Sequence, residues 1–328
     1  LSFFGGIGGA SRMGVLVKGG NYLEALSHAQ IAVFDKTGTL TRGVFAVQQI
    51  TAVNGQENRL LALAASAESR STHPIAQSLQ AYAAGRSPAP APDTVEEIAG
   101  RGVCAVIGGK TVRVGSRAMM EENGLLPEHA PEDPSGTVVH VAEDGQYLGW
   151  IQIRDQTKDG AKDAMAALKR TGVEKTVMLT GDNERTAREV AGELGLDAAY
   201  AQLLPDGKVR QVEALLQEKR GNGTLLFVGD GMNDAPVLAR ADVGIAMGAL
   251  GSDAAIEAAD VVLMNDDLSR LPRAIRLARR TLRIANQNIV FALAVKVAVL
   301  VLSALGLANM WFAVFADVGV AVLAICNA

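Results

Sequence analysis

Cysteine is scarce in this 328-residue chain: there are two, Cys104 and Cys326, far apart and in segments of different character. No disulfide framework can be built from them, and both read as small buried hydrophobes. Aromatic residues make up only 4% of the chain, and no basic stripe is interleaved with them. With a net charge of -4, that excludes a nucleic-acid partner. The chain opens on Leu1-Ser2-Phe3-Phe4-Gly5-Gly6 without an initiator Met or a signal peptide. It reads as a piece of a longer protein, with residues 1–17 as the end of a membrane helix. Charge is nearly missing from the other end. Between Ile284 and Ala328 the only charged residues are Lys296 and Asp317.

That local absence explains a mean hydropathy of +0.18. Two apolar spans, 284–305 and 310–327, are long enough to cross a bilayer, with Gly306–Asn309 as the turn between them. Six arginines, Arg270, Arg273, Arg276, Arg279, Arg280 and Arg283, stand just before the first span. By the positive-inside pattern they face the cytoplasm. The expected location is therefore a cell membrane crossed more than once, with the rest of the chain cytoplasmic.

The remainder is polar enough for soluble domains. The apolar run Ile31–Phe34 ends at Asp35 and reads as a buried parallel strand. Further strands are expected at 176–179, 198–201, 224–228, 243–246 and 261–263. Helices are expected at 160–170, 183–194 and 207–219, so strands and helices alternate as in a parallel sheet covered on both faces. Between the first strand and the others lies an insert, 46–147, with helices near 59–68 and after Pro74, a loop GRSPAPAP at 85–92, and strands at 102–107, 111–114 and 137–141. The α/β domain is thus discontinuous, 18–45 and 148–270, with an α+β domain inserted.

Three acidic motifs end predicted strands, where open α/β sheets bind ligands. They are Asp35-Lys36-Thr37-Gly38-Thr39-Leu40-Thr41, Thr180-Gly181-Asp182-Asn183 and Gly229-Asp230-Gly231-Met232-Asn233-Asp234. Lys208 opens a helix between the last two. A carboxylate can attack the γ-phosphate of ATP if a cation cancels the repulsion between anions. Asp35 is the candidate nucleophile. Asp230, with Asp35 and the Thr37 carbonyl, offers hard oxygen ligands to Mg²⁺, and Asp234 supports them. Thr39, Thr180 and Lys208 can hold the phosphoryl oxygens.

DKTGTLT and GDGMNDAPVL together resemble the signature of P-type ATPases, whose phosphorylation domain has the haloacid-dehalogenase-like fold. The resemblance covers essentially the whole chain. It implies an aspartyl-phosphate at Asp35, a hydrolase and translocase driven by ATP and Mg²⁺, and nucleotide contacts at Gly181 and Asp182. Phosphatases of that fold carry a second Asp two residues after the nucleophile. Here that position is Thr37, which cannot serve as the base, so the phosphoenzyme should persist. The actuator loop Thr-Gly-Glu that drives its hydrolysis in the family is not in this chain, so the chain alone should turn over ATP poorly.

In the insert, Glu68, His73-Pro74 and Gly100-Arg101-Gly102 are each weak signals. Together they resemble the nucleotide-binding domain of heavy-metal P-type ATPases. There the histidine and the acidic residue lie by the adenine, and the glycines let backbone approach it.

Lys296 and Asp317 each lie roughly 15 Å from the Gly306 turn, near mid-membrane. Charges at that depth are costly and pair. In this region the chain resembles zinc, cadmium and lead exporters, which carry a Lys in the penultimate helix and Asp-x-Gly in the last, matched by Lys296 and Asp317-Val318-Gly319. The implied cargo is Zn²⁺, Cd²⁺ or Pb²⁺, ligated at Asp317 with Lys296 as its competitor. The family's Cys-Pro-Cys motif would lie upstream of Leu1. Three other readings stand beside this one. A copper pump lacks its Tyr-Asn and Met-x-x-Ser-Ser strings here, a soluble phosphatase does not explain the apolar tail, and a regulatory metal-binding module does not explain the phosphorylation loop.

Overall fold

The computed structural model describes residues 2–71, 73–86, 90–127, 136–230, 234–248, 253–307 and 309–327. Positions 231–233 of the third acidic motif, part of the GRSPAPAP loop and Ala308 of the expected turn lie outside them. The chain divides into two units, residues 1–40 with 159–328, and residues 41–158.

The first unit is built on a seven-stranded sheet. Its hydrogen-bonded order is Val15–Val17, Val261–Leu263, Val243–Met247, Thr224–Gly229, Ala29–Asp35, Lys175–Leu179 and Ala198–Tyr200. All neighbours are parallel except the first pair, which is antiparallel. The apolar runs seen in the sequence exist because these strands are covered on both faces. Along Ala29–Asp35, Ala32 and Phe34 enter one core with Leu226, Val228 and Met178. Ile31 and Val33 enter the other with Leu225, Phe227 and Val177. The side chains alternate because the strand period is two. Phe34 and Phe227 are fully buried, one on each side, and truncating either to Ala should cost about 3–5 kcal/mol.

Helices Ala161–Arg170, Glu184–Leu194 and Pro205–Gln217 fall where their periodicity predicts. Asn183 caps the second by accepting from Thr186 N. Of residues 1–17, expected as a helix end, only Ser2–Arg12 is helical. The helix Ser2–Arg12 stops, Gly14 takes φ +73, and Val15–Val17 becomes an edge strand. The glycine permits the reversal that a continuing helix would forbid.

The second unit is a six-stranded antiparallel sheet ordered Thr41–Ala52, Gln146–Thr157, Thr137–Glu143, Lys110–Gly115, Gly102–Ile107 and Thr94–Ile98. Helices Glu57–Ala67 and Pro74–Ala83 share its core through Leu60, Leu61, Ala64 and Leu79. The boundaries expected at 45/46 and 147/148 fall instead at 40/41 and 158/159. The reason is the length of the strands Thr41–Ala52 and Gln146–Thr157, which pair from Thr41 opposite Thr157 to Ala52 opposite Gly149.

The basic stretch and the first apolar span form one helix, Arg270–Ala304. Its first turns are soluble core, with Leu271, Ala274, Ile275 and Ala278 buried. The second span, Met310–Asn327, contains a wide turn of π type at Phe315–Gly319. Both helices are long and apolar enough to cross a membrane. The cysteines are not buried as expected: Cys104 is half-buried and Cys326 exposed.

Candidate active site

Parallel register sets the site. Phe34 lies opposite Val228, and Asp35 lies opposite Leu179. The residues that follow these strands, Asp230 on one side and Thr180 on the other, therefore emerge beside Asp35. The carboxylates of Asp35, Asp230 and Asp234 bring oxygen atoms to within 4.8 Å of one another. Lys208, from the first turns of the helix Pro205–Gln217, reaches in from the side. Its Nζ donates to Asp35 Oδ1 at 2.5 Å and to Asp234 Oδ1 at 2.8 Å.

Three carboxylates crowded together, two of them buried, must be neutralised or protonated. Burial, then the nearby charge of Asp234, pushes the Asp35 carboxyl up to about 7, although Lys208 pulls it down. Burial works against the charge on Lys208, but Asp35 and Asp234 outweigh it and hold the ammonium above its ordinary range. One ammonium against three acidic groups leaves a negative excess that a divalent cation would cancel. Oxygen-only donors at this spacing suit Mg²⁺. The residues present therefore fit the ion.

Gly38 is needed by its place. It has φ +74, and a Cβ there would sit 2.4 Å from Asp230 Oδ2. Thr39 is fully buried, and its Oγ1 has no hydrogen-bond partner among the described residues. Such a hydroxyl costs free energy unless a ligand satisfies it. Thr180 is also buried, and its Oγ1 accepts from Asp182 N at 3.1 Å. The side chain of Thr37 is exposed, on extended backbone at φ -75 and ψ 131. Gly181 lies in the same loop as Thr180. The Asp182 carboxylate is engaged by Lys36 Nζ at 2.6 Å. Lys36 and Gly38 lie within the Asp35 motif, and the sequence alone assigns them no role. Their signal, a cation and a glycine directly after the nucleophile, was present but needed the fold to be interpreted.

In the second unit, Glu68, His73, Gly100 and Gly102 line one cleft of about 280 Å³. His73 caps the helix Pro74–Ala83, its Nδ1 accepting from Ile75 N at 3.3 Å. In a neutral imidazole this makes Nε2 the donor nitrogen. Burial, and to a lesser degree Glu97, holds the Glu68 carboxyl above its ordinary value, although Ser71 opposes the rise. Gly102 has φ +141, and a Cβ there would meet Val114 O at 2.2 Å. Glu97 and Ser116 also line the cleft and carried no sequence signal. Ser116 Oγ is buried without a hydrogen-bond partner among the described residues.

Lys296 Nζ lies 3.4 Å from Asp317 Oδ1, with the π-type turn placing Asp317 on the side of the neighbouring helix. The pair is not covered by this chain: 54% and 77% of the two side chains is exposed.

A family model for haloacid dehalogenase-like hydrolases matches residues 29–242. A zinc-transporting ATPase of Synechocystis is 54% identical over 100% of this chain and 45% of its own length. A cadmium, zinc and cobalt-transporting ATPase of Bacillus subtilis is 52% identical over 100% of this chain and 47% of its own. Among solved structures, a zinc-transporting PIB-type ATPase in the E2.Pi state is similar with a TM-score of 0.90 and 38% identity, over 99% of this chain and 53% of that one. The chain spans about half the length of the curated relatives it matches.

Proposed function

The chain belongs to the haloacid dehalogenase-like hydrolases, among the heavy-metal P-type ATPases, and from that premise we propose that it carries the phosphorylation step of an ATP-driven metal exporter. The observation that supports this most is the meeting of Asp35, Lys208, Asp230 and Asp234 at one sheet edge. Asp35 Oδ attacks the γ-phosphorus of ATP. The bond to the β,γ-bridging oxygen breaks, ADP leaves, and an acyl phosphate remains on Asp35.

Asp35, Asp230 and the Thr37 carbonyl would hold Mg²⁺, with Asp234 behind them, and the ion supplies charge neutralisation between nucleophile and phosphate. Lys208 holds Asp35 in line and offers its charge to the transferred group. Thr39 and Thr180 offer hydroxyls to the phosphoryl oxygens. Gly181 and Asp182 shape the loop beside them. In the inserted unit, Glu68 and His73 face the adenine, while Gly100 and Gly102 admit it to the backbone.

The membrane-spanning part is assigned a transport role. Asp317 ligates the cargo and Lys296 competes for the carboxylate as the metal leaves. The relatives' names carry zinc, cadmium and cobalt. Lead rests on the sequence resemblance alone. In this reading the chain is multi-pass in the cell membrane, with residues 18–270 in the cytoplasm.

The test is acid-quenched labelling of the full-length protein with [γ-³²P]ATP, with Zn²⁺, Cd²⁺, Co²⁺, Pb²⁺ or Cu⁺ added in turn. Stimulation by Zn²⁺ or Cd²⁺ is expected. Stimulation by Cu⁺ alone would overturn the cargo assignment, and absence of any acid-stable label would overturn the pump.

A further inference from the structure

The six arginines before the first span share one sequence signal, yet the fold treats them differently. Arg273, Arg276, Arg280 and Arg283 are exposed, as a cytoplasmic anchor requires. Arg270 and Arg279 turn inward instead. Arg270 Nη1 donates to Met13 O, in the turn where Gly14 leaves no room for a side chain. Arg279 Nε donates to Ser27 O at 2.8 Å, and its Nη2 to Ala29 O at 3.2 Å. Gly172, at φ +87, lies so close that an added Cβ would meet Arg279 Nη1 at 3.3 Å. The two arginines are nine residues apart (279 − 270), which puts them about half a turn out of phase on the helix. They therefore fasten opposite sides of its base to backbone carbonyls.

The carbonyls held by Arg279 are distinctive. Ser27 ends the helix Gly20–Ser27, and Ala29 begins the strand that ends at Asp35. Along that strand Asp35 is roughly 20 Å away. Along the helix in the other direction Lys296 is about 26 Å away. A planar guanidinium with two donors on two carbonyls fixes direction as well as distance, which an ammonium cannot do.

We propose that Arg279 is a positioning residue. It locks the strand carrying the phosphorylated aspartate to the helix carrying Lys296, so that the two move as one body. Displacement of the strand during the phosphorylation cycle then reaches the metal site without loss. The proposal rests on the pump reading above, and its test separates the two.

The experiment uses the full-length protein in proteoliposomes and reads two quantities. One is zinc-dependent ³²P labelling, and the other is zinc transported per phosphate released. Arg279→Gln should keep labelling within about twofold of wild type and lower the transport ratio by about fivefold or more. Arg279→Lys should recover part of the ratio. Arg276→Gln, at an exposed position on the same helix, should change neither. If the ratio stays at the wild-type value however far turnover falls, Arg279 is structural only and the proposal is overturned. If both Arg279 variants lose labelling altogether, the residue is needed for folding and the coupling role is likewise rejected. Absence of zinc-dependent labelling in the wild type would instead reject the pump reading.

Discussion

The two units are built on different sheets, one mostly parallel and one antiparallel. At the tip of the parallel sheet, residues at three strand ends converge with Asp234 and with Lys208 from a helix, and Asp35, Thr39, Thr180 and Asp234 among them are buried. In the antiparallel insert, Gly100, Gly102 and Gly115 line the cleft together with polar and aliphatic side chains, Glu68 and His73 among them. Phosphoryl transfer needs fixed charge held out of water, and a parallel sheet supplies it because every strand ends on the same side. Binding a flat heterocycle needs close backbone approach, which positive-φ glycines permit. Substitutions at the first site should therefore change kcat, and substitutions at the second should change KM for ATP.

The largest effect is expected at the nucleophile. Asp35→Asn should abolish acid-stable labelling, a loss of at least about 10³-fold, while leaving nucleotide binding to the insert intact by fluorescence titration. Next, Lys208→Ala should lower kcat by about 10²–10³-fold with little change in KM. If KM rose instead with kcat retained, the contrast between the units would fail. Smaller again, Gly102→Ala should raise KM for ATP about tenfold, and labelling at saturating ATP should persist. Glu68→Gln should act in the same direction and less strongly, measured the same way.

The smallest effect is thermal. With Mg²⁺ chelated, the Asp35 carboxyl has its pKa raised from 3.8 to about 7. A group raised in the folded state adds stability below its unfolded value and loses it as pH rises through the folded one. The melting temperature of wild type should therefore fall relative to Asp35→Asn between about pH 4 and 7, and the gap should then stay level. A gap that does not vary with pH would show that the three carboxylates do not crowd as described.

Much of the first unit was legible in the sequence because its strands are short apolar runs with a chemical motif at each end. The strand at 261–263 and the helix at 161–170 fall within a residue of expectation. The insert was harder to read. Thr94–Ile98 is an edge strand with Glu96 and Glu97 exposed, so it lacks the apolar pattern that marks a strand. The unit bounds at 40/41 and 158/159 are not legible because they are set by the pairing of Thr41–Ala52 with Gln146–Thr157, a long-range contact with no local sequence mark at its ends. At the site, Asp35 and Asp230 could be paired from motif chemistry alone. The Lys36–Asp182 ion pair could not, since it depends on two loops meeting across parallel strands. Nor could the inward turn of Arg270 and Arg279, because a helix pattern does not show which arginine meets a carbonyl.

The most direct measurement identifies the modified side chain itself. Full-length protein would be labelled with ATP in the presence of zinc, quenched in acid, and reduced with borohydride, which converts an aspartyl phosphate to homoserine, before peptide mass spectrometry. Homoserine at position 35, dependent on both ATP and zinc, is the outcome this account requires. Zinc-stimulated turnover with the phosphate found on any other residue would contradict it.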